Sequence, residues 1–238
     1  MTINYAKARE TMVEQQVRPW DVLDARVLAT LRDVPRDAFV PDEYRALAYT
    51  DLALPIGHGQ SMMKPVVEGR MLQALDVAPG DEVLEIGTGS GFITACLARL
   101  ARDVVSLEIN PELAAAAHAR LAQHGYDANV RIDIADAFAW ITERRFDAIC
   151  VTAAVVTIPS RFIEWLRPDG RLFVIRGRSP AMEAVCLRSP REGGDVGNAD
   201  VGSTDVSGPS LNGARIESLF ETDVSYLAGA APAAEFQF

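Results

Sequence analysis

The chain has 238 residues, of which 49% are hydrophobic and 24% are charged, a composition typical of a globular protein of one large domain. Its 33 Asp and Glu residues outnumber its 23 Lys and Arg residues, and the resulting net charge of −10 disfavours binding to nucleic acid or to anionic membranes. No apolar run approaches the roughly 20 residues that span a bilayer, and the first residues lack the apolar core of a secretion signal. We therefore expect a soluble cytoplasmic protein.

Cysteine and histidine give no sign of a disulfide framework or a metal site. Cys96, Cys150 and Cys186 are far apart, lack CxxC spacing and have apolar neighbours, which is typical of buried, unreactive thiols. The three histidines show no metal-ligand spacing with carboxylates or cysteines, so we expect no metal.

The first part of the chain is predicted to be helical, with one long irregular segment. Apolar residues at helical spacing predict helices at about 6–16 and 22–31, separated by Pro19. Residues 39–63 contain several prolines and glycines, and loops of this length are often functional. A third helix is predicted at about 65–75.

From Glu82 onward, short apolar strands alternate with helices. The predicted strands are 82–87, 104–109, 129–136, 146–152 and 171–177, and the predicted helices are 92–100, 111–124 and 159–166. This alternation indicates a Rossmann-like α/β fold with a doubly wound, mostly parallel sheet. Two later strands, 182–188 and 216–227, are expected to add to the sheet edge in antiparallel orientation.

Between these two late strands lies Pro190 to Gly213, a segment rich in Gly, Asp and Ser. Its Asp-Val pairs recur every five residues, which leaves a calcium-binding repeat as one interpretation. We favour a mobile, dispensable hairpin extension, because the segment has too little apolar surface to offset the entropy of ordering it.

The segment VLEIGTGSGF, residues 83–92, carries the clearest sign of chemistry. Glycines at alternate positions after the first strand let the backbone bend and approach a ligand, at the edge where open α/β sheets bind ligands. The spacing is GxGxG, because Phe92 stands where a dinucleotide fold has its third glycine. Glu108 ends the next strand, where it could accept ribose hydroxyls, and Asp136 follows the strand after that, within reach of an adenine amino group.

Glu85 favours one cofactor over the alternatives. A carboxylate immediately before the glycine turn would repel a pyrophosphate but tolerate the sulfonium and ammonium groups of S-adenosylmethionine. We therefore favour this cofactor over NAD(P) and over a purely structural turn. The predicted cofactor-binding residues are Glu85, Gly87, Thr88, Gly89, Ser90, Gly91, Glu108, Ile109, Asp136 and Ala137.

The residues from Met12 to Gln60 resemble the N-terminal half of the protein-L-isoaspartate O-methyltransferases. VLEIGTGSGF, VVSLEIN, FDAICVTAA and LRPDGRLFVIRG resemble successive motifs of that family, and ESLFETDVSYLAG is similar to its closing strand. The resemblance spans 12–227, apart from the Gly/Asp/Ser segment. It implies a class I methyltransferase that uses S-adenosylmethionine to methylate the α-carboxylate of isoaspartyl residues in damaged proteins.

The sequence departs from the family at one site position. After GxGQ the family reads Thr-Ile-Ser, and that serine is its active-site residue, but this sequence has Ser61, Met62 and Met63. Met63 stands at the serine position and cannot donate a hydrogen bond. Ser61 could supply a hydroxyl from two residues earlier, Met63 could line a pocket for a different acceptor, or Met63 could simply pack beside Met62. The predicted substrate loop, from Ile56 to Lys64, also contains His58, Gly59 and Gln60, and we expect it to cover the methyl group and shape the acceptor site.

Three hypotheses follow. The chain is an isoaspartyl methyltransferase, a methyltransferase for another acceptor such as a small acid, or a non-catalytic module that binds S-adenosylmethionine. We expect a monomer whose partner is an isoaspartyl protein or peptide. The predicted single domain comprises an N-terminal helical and substrate-loop region (1–78), a cofactor-binding core (79–178) and C-terminal strands (179–238).

Overall fold

The computed structural model describes residues 3–191 and 213–232. Residues 192–212 lie outside the described residues, so the expectations for the segment 190–213 stay predictions. Within the described ranges, no helix is long and apolar enough to cross a membrane.

A seven-stranded sheet forms the centre of the fold, in the order β5-β4-β3-β6-β7-β8-β9, and a separate hairpin is formed by β1 and β2. The strands are β1 (Leu54–Gly57), β2 (Gln60–Met62), β3 (Glu82–Ile86), β4 (Asp103–Glu108), β5 (Val130–Ile134), β6 (Phe146–Val155), β7 (Leu166–Arg178), β8 (Ala181–Arg188) and β9 (Arg215–Thr222). Strands β3 to β7 pair in parallel, whereas β8 and β9 are antiparallel additions at one edge. The predicted doubly wound, mostly parallel sheet is confirmed.

The helices agree with the local signals in the sequence. They are α1 (Tyr5–Met12), α2 (Ala25–Asp33), α3 (Pro65–Leu75), α4 (Phe92–Leu100), α5 (Pro111–His124) and α6 (Ser160–Glu164). A π-helical segment (Val13–Val17) and a 3-10 segment (Arg18–Trp20) extend α1. A further 3-10 segment (Arg36–Ala38) precedes the predicted irregular region, and another (Asp42–Leu47) lies within it. Helix α5 starts where the Asn110 side chain accepts from the backbone of Glu112 and Leu113, and it ends at Gly125, which has a φ of +72°.

Several boundaries differ from the predictions: α6 ends at Glu164 instead of 166, and β7 begins at Leu166 instead of 171. Two further differences have local physical reasons. The second helix begins at Ala25 instead of Val22, because the Asp24 side chain caps it by accepting from the backbone of Arg26 and Val27. The last strand ends at Thr222 instead of residue 227. Beyond it the chain leaves β8 and crosses to the end of β6, where Tyr226 forms an isolated parallel bridge with Ala154.

Side chains that alternate along the strands bury two apolar layers, one on each face of the sheet. Val83, Cys150 and Phe173 pack on the face covered by the N-terminal helices, α3 and α4. On the opposite face, Leu84 belongs to a cluster that includes Phe162 of α6. The three cysteines are buried and free, as predicted.

A buried arginine connects four parts of the N-terminal region. The Arg36 guanidinium is 0% exposed and forms an ion pair with the buried Glu68 of α3. It also donates to the carbonyls of Ala48 (2.9 Å) and Met63 (2.7 Å), and it lies 5.0 Å from the ring centroid of Phe92, at the start of α4. We call this arrangement, Arg36 with Glu68 and the two carbonyls, the Arg36 clamp.

The Arg36 clamp predicts a large effect of a single substitution. Arg36→Met leaves Glu68 buried without its partner, and we expect it to lower the free energy of unfolding by about 3–5 kcal/mol in urea denaturation. The double variant Arg36→Met, Glu68→Leu removes both charges and should recover most of that loss. A single variant within about 1 kcal/mol of wild type would contradict this account.

Candidate active site

A cavity of about 600 Å³ opens at the carboxyl ends of the parallel strands, next to the point where strand order reverses between β3 and β6. The β1–β2 hairpin, the turn after β3, the ends of β4 and β5, and the segment that follows β9 form its walls. The predicted residues that line it are His58, Gln60, Ser61, Met63, Gly87, Gly89, Glu108, Ile109, Asp136 and Ala137. Its size and position are those of a small-ligand site.

The turn after β3 exposes backbone atoms to the cavity, because its residues Gly87 and Gly89 have no side chains. Gly87 has a φ of +98°, and a Cβ at this position would lie 2.4 Å from the Thr152 hydroxyl oxygen. That hydroxyl donates to the Gly87 carbonyl at 2.6 Å, so the turn is fixed against the end of β6. Gly89 also lines the cavity, and the backbone of both residues can therefore approach a ligand closely.

Glu108 ends β4 at the cavity, as predicted. Its Oε2 accepts from the backbone N–H of Gly89 at 2.8 Å, and its Oε1 accepts from that of Asn110 at 3.0 Å. Each carboxylate oxygen can accept a second hydrogen bond, so the pair can still receive two neighbouring hydroxyl groups. This is the arrangement that a ribose requires.

The wall beyond Glu108 suits a flat heterocycle. Asp136 Oδ1 accepts from the backbone N–H of Phe138 at 2.8 Å, whereas its Oδ2 has no partner among the described residues. Ile109, which is 49% exposed, and the buried Ala137 contribute apolar surface beside it. These residues fit the adenosine part of S-adenosylmethionine, and the glycine turn leaves room for its amino-acid part.

Glu85 occupies a different place from the one that the sequence suggested. It is fully buried beneath the turn, and it does not line the cavity. Its Oε2 accepts from the hydroxyls of Thr94 and Ser106, both at 2.6 Å, while its Oε1 has no partner. Burial raises the pKa of Glu85 to about 8. The prediction of a direct cofactor contact is therefore corrected, and Glu85 supports the turn from below.

Four other predicted residues also lie outside the cavity wall. Thr88 is buried, and its hydroxyl is 2.5 Å from the Ser106 hydroxyl, within the polar cluster around Glu85. Ser90 is buried and accepts from the backbone of Phe92, and Gly91 precedes α4. Gly59 belongs to the turn of the hairpin. These residues shape the turns instead of lining the cavity.

The β1–β2 hairpin lies over the glycine turn. The Ile56 side chain of this hairpin lies directly beside Gly89. A Cβ placed on Gly89 would be 3.2 Å from Ile56 Cδ1. At the hairpin turn, His58 Nε2 lies 3.2 Å from Glu112 Oε2 in the first turn of α5. The hairpin therefore extends over the cavity from the N-terminal region to the start of α5.

Met63 lies in the wall, at the position where the family has its serine. Its side chain is 6% exposed and packs in the core, and its carbonyl accepts from Arg36. Ser61, on β2, also lines the cavity and is exposed. Met63 thus both packs in the core and faces the cavity, and its role toward an acceptor stays a prediction.

Several wall residues had no distinctive sequence signal. They are Thr152, Ser179 and the segment 222–228 that follows β9. The Tyr226 hydroxyl donates to the Gly177 carbonyl at 3.2 Å, which joins this segment to the end of β7. Lys64 also lines the cavity, and it is the last residue of the predicted substrate loop.

Comparison with known proteins decides the family. A family model described as Protein-L-isoaspartate(D-aspartate) O-methyltransferase (PCMT) matches residues 7–188. A protein-L-isoaspartate O-methyltransferase of Syntrophobacter fumaroxidans is 42% identical over 192 residues, covering 80% of this chain and 89% of that protein. One from Methylorubrum extorquens is 43% identical over 190 residues, covering 80% and 82%. The chain belongs to the protein-L-isoaspartate(D-aspartate) O-methyltransferase family.

Solved structures agree with the fold. A Plasmodium falciparum structure, described as a protein-L-isoaspartate O-methyltransferase in complex with S-adenosyl-L-homocysteine, has a TM-score of 0.73 at 19% identity and covers 92% of this chain and 97% of that chain. The predicted family, fold and enzyme class are confirmed, as is S-adenosylmethionine as the cofactor. The roles of individual site residues stay predictions.

Glu108 provides the first test of the cofactor site. Glu108→Ala removes the acceptors for two ribose hydroxyls, and we expect it to weaken binding of S-adenosylhomocysteine by about 1–3 kcal/mol in calorimetry. Glu143→Gln, a change at an exposed carboxylate outside the cavity wall, is the control and should bind as wild type does. Unchanged affinity in Glu108→Ala would show that the ribose binds elsewhere.

The raised pKa of Glu85 predicts that the stability of the fold depends on pH. Its pKa is about 8 in the folded chain and 4.5 ordinarily, so between these values the folded state holds a proton that the unfolded chain releases. The stability that protonated Glu85 contributes to the folded state is fully present below pH 4.5 and is lost as the pH rises through 8. Glu85→Gln keeps an acceptor for Thr94 and Ser106 but does not titrate.

The measurement is a series of thermal melts across this pH window. The melting temperature of wild type should fall relative to that of Glu85→Gln as pH rises, whereas Glu143→Gln should follow wild type. Parallel curves for wild type and Glu85→Gln would show that Glu85 is already ionised at low pH.

Proposed function

We propose that this chain transfers a methyl group from S-adenosylmethionine to the α-carboxylate of L-isoaspartyl residues in proteins or peptides. The observation that supports this best is a single cavity that extends from Glu108 and Asp136 to Met63, in a chain of this family. The proposed cofactor residues and the family's acceptor position thus line one cavity.

The chemistry requires little beyond positioning. Bound S-adenosylmethionine supplies the methyl group, which bonds to an acceptor oxygen as the carbon–sulfur bond breaks and its electron pair stays on sulfur. A carboxylate acceptor is already ionised at pH 7, so the chain needs no general base. Its task is to hold the acceptor oxygen in line with the methyl group and to exclude water, which is proximity catalysis.

The residues divide this work in our proposal. Glu108 and Asp136 hold the adenosine, and the backbone at Gly87 and Gly89 approaches the amino-acid part of the cofactor. The region 1–78 provides the hairpin that covers the cavity, the region 79–178 binds the cofactor, and the segment 222–228 contributes the wall after β9. Residues Ser61 and Met63 lie where the acceptor enters. The cytoplasmic location and the monomeric state stay predictions.

Met63 supports a second candidate, a methyltransferase for a different acceptor. A methionine at this position offers apolar surface and no donor, so an acceptor with an apolar group beside its nucleophile would fit. We favour the isoaspartyl acceptor, because relatives 40–43% identical to this chain carry that name.

Paired peptides that differ only in an aspartyl or isoaspartyl residue test the proposal. We expect wild type to methylate the isoaspartyl peptide selectively but slowly. Met63→Ser should raise kcat/KM roughly 5- to 150-fold, because a donor oriented toward the carboxylate is worth about 1–3 kcal/mol. Met63→Ala is the matched control, since it loses the same packing without gaining a hydroxyl.

Three results would contradict parts of this account. An equal rise in kcat/KM in Met63→Ser and Met63→Ala would show that the smaller side chain causes the effect, and not a hydrogen bond from the serine hydroxyl. Methylation of other cell components, with none of the isoaspartyl peptide, would favour the second candidate. Cofactor binding without any methylation would favour a non-catalytic module.

A further inference from the structure

Lys64 stands out among the residues that line the cavity. It directly follows Met63 and precedes α3, and its side chain is exposed in the cavity wall. Among the described lining residues it is the single Lys or Arg, whereas Glu108, Asp136 and Asp223 contribute carboxylates. An anionic acceptor would therefore meet three like charges and one ammonium group.

The Lys64 ammonium is available for a ligand. It forms no ion pair and no side-chain hydrogen bond with any residue in the described ranges, although the arginines nearby are paired. Arg36 is engaged in the Arg36 clamp, and Arg70 donates to the Leu219 carbonyl and lies 4.1 Å from the ring centroid of Phe220. A free cation in a cavity wall points to an anion as its partner.

The backbone at Lys64 is held on both sides. The carbonyl of the preceding Met63 accepts from Arg36 at 2.7 Å, and the Lys64 carbonyl accepts from the Glu68 N–H at 3.1 Å, in the first turn of α3. Pro65, at the first position of α3, restricts the chain further. Only the long side chain can move, so the ammonium samples a limited region beside position 63.

We infer that Lys64 pairs with the acceptor carboxylate and supplies the recognition that Met63 cannot provide. This inference rests on the proposed function. The ammonium would bind the carboxylate oxygen that is not methylated, which leaves the other oxygen free to face the methyl group. Such a contact is strongest with the ground-state carboxylate, whose charge falls as the methyl group is transferred, so it lowers KM without raising kcat.

The same contact favours release of the product. A methyl ester carries no negative charge, so its attraction to the ammonium is much weaker than that of the carboxylate substrate. Lys64 therefore distinguishes substrate from product by charge alone. A hydroxyl at position 63 would distinguish them less, because it can donate to the carbonyl oxygen of either.

The test compares two peptides in three proteins. One peptide contains isoaspartate, and the other contains isoasparagine, in which the same α-carboxyl group is an amide. Wild type, Lys64→Met and Lys64→Arg are each titrated with both peptides in the presence of saturating S-adenosylhomocysteine. Lys64→Met keeps the length of the side chain without its charge, and Lys64→Arg keeps the charge.

We expect wild type and Lys64→Arg to bind the isoaspartyl peptide about 5- to 20-fold more tightly than the amide peptide. Lys64→Met should lose most of that preference, and its KM for the isoaspartyl peptide should rise by a similar factor with little change in kcat. Binding of S-adenosylhomocysteine should be the same in all three proteins, which excludes a general defect of the cavity.

The outcomes separate this inference from the proposed function. If wild type methylates the isoaspartyl peptide and Lys64→Met keeps the full preference for the carboxylate, the role of Lys64 is wrong and the proposed function stands. If wild type neither binds nor methylates the isoaspartyl peptide, both are wrong. A preference lost in Lys64→Met and retained in Lys64→Arg supports the inference.

Discussion

The buried ion pair between Arg36 and Glu68 determines how the two ends of the cavity are arranged. Two charges removed from water are stable only when every donor and acceptor finds a partner, and Arg36 finds the Ala48 and Met63 carbonyls as well as Glu68. Its contact with Phe92 brings the acceptor side against the start of α4, directly after the glycine turn. The hairpin and the cofactor end thus share one buried anchor.

Two glutamates at the ends of neighbouring strands show how burial assigns different roles to the same side chain. Glu85 is enclosed beneath the turn, where hydroxyl groups donate to it and burial raises its pKa. Glu108 lies on the cavity side and accepts from the backbone at Gly89. One carboxyl group supports the turn, and the other faces the ligand space that the turn creates.

Local signals in the sequence predicted most of the fold and part of the cavity wall. The bounds of α3 and α4 and the cap at Asn110 follow from nearby residues, and strand ends place Glu108 at the cavity. The position of Glu85 depends on Thr94 and Ser106, which a strand pattern alone does not reveal. Arg36 meets partners 12 to 32 residues away, so no local pattern distinguishes it from a surface arginine. The cavity wall formed by residues 222–228 depends on the chain crossing from the end of β9 to the end of β6, which the strand pattern does not show.

A crystal structure with S-adenosylhomocysteine and an isoaspartyl peptide would show whether cofactor and acceptor meet in the one cavity positioned by the Arg36 clamp. We expect the ribose on Glu108 and the peptide α-carboxylate beside Met63, with one carboxylate oxygen on the Lys64 ammonium and the other facing sulfur. A peptide bound outside this cavity, or a carboxylate directed away from both sulfur and Lys64, would contradict this account.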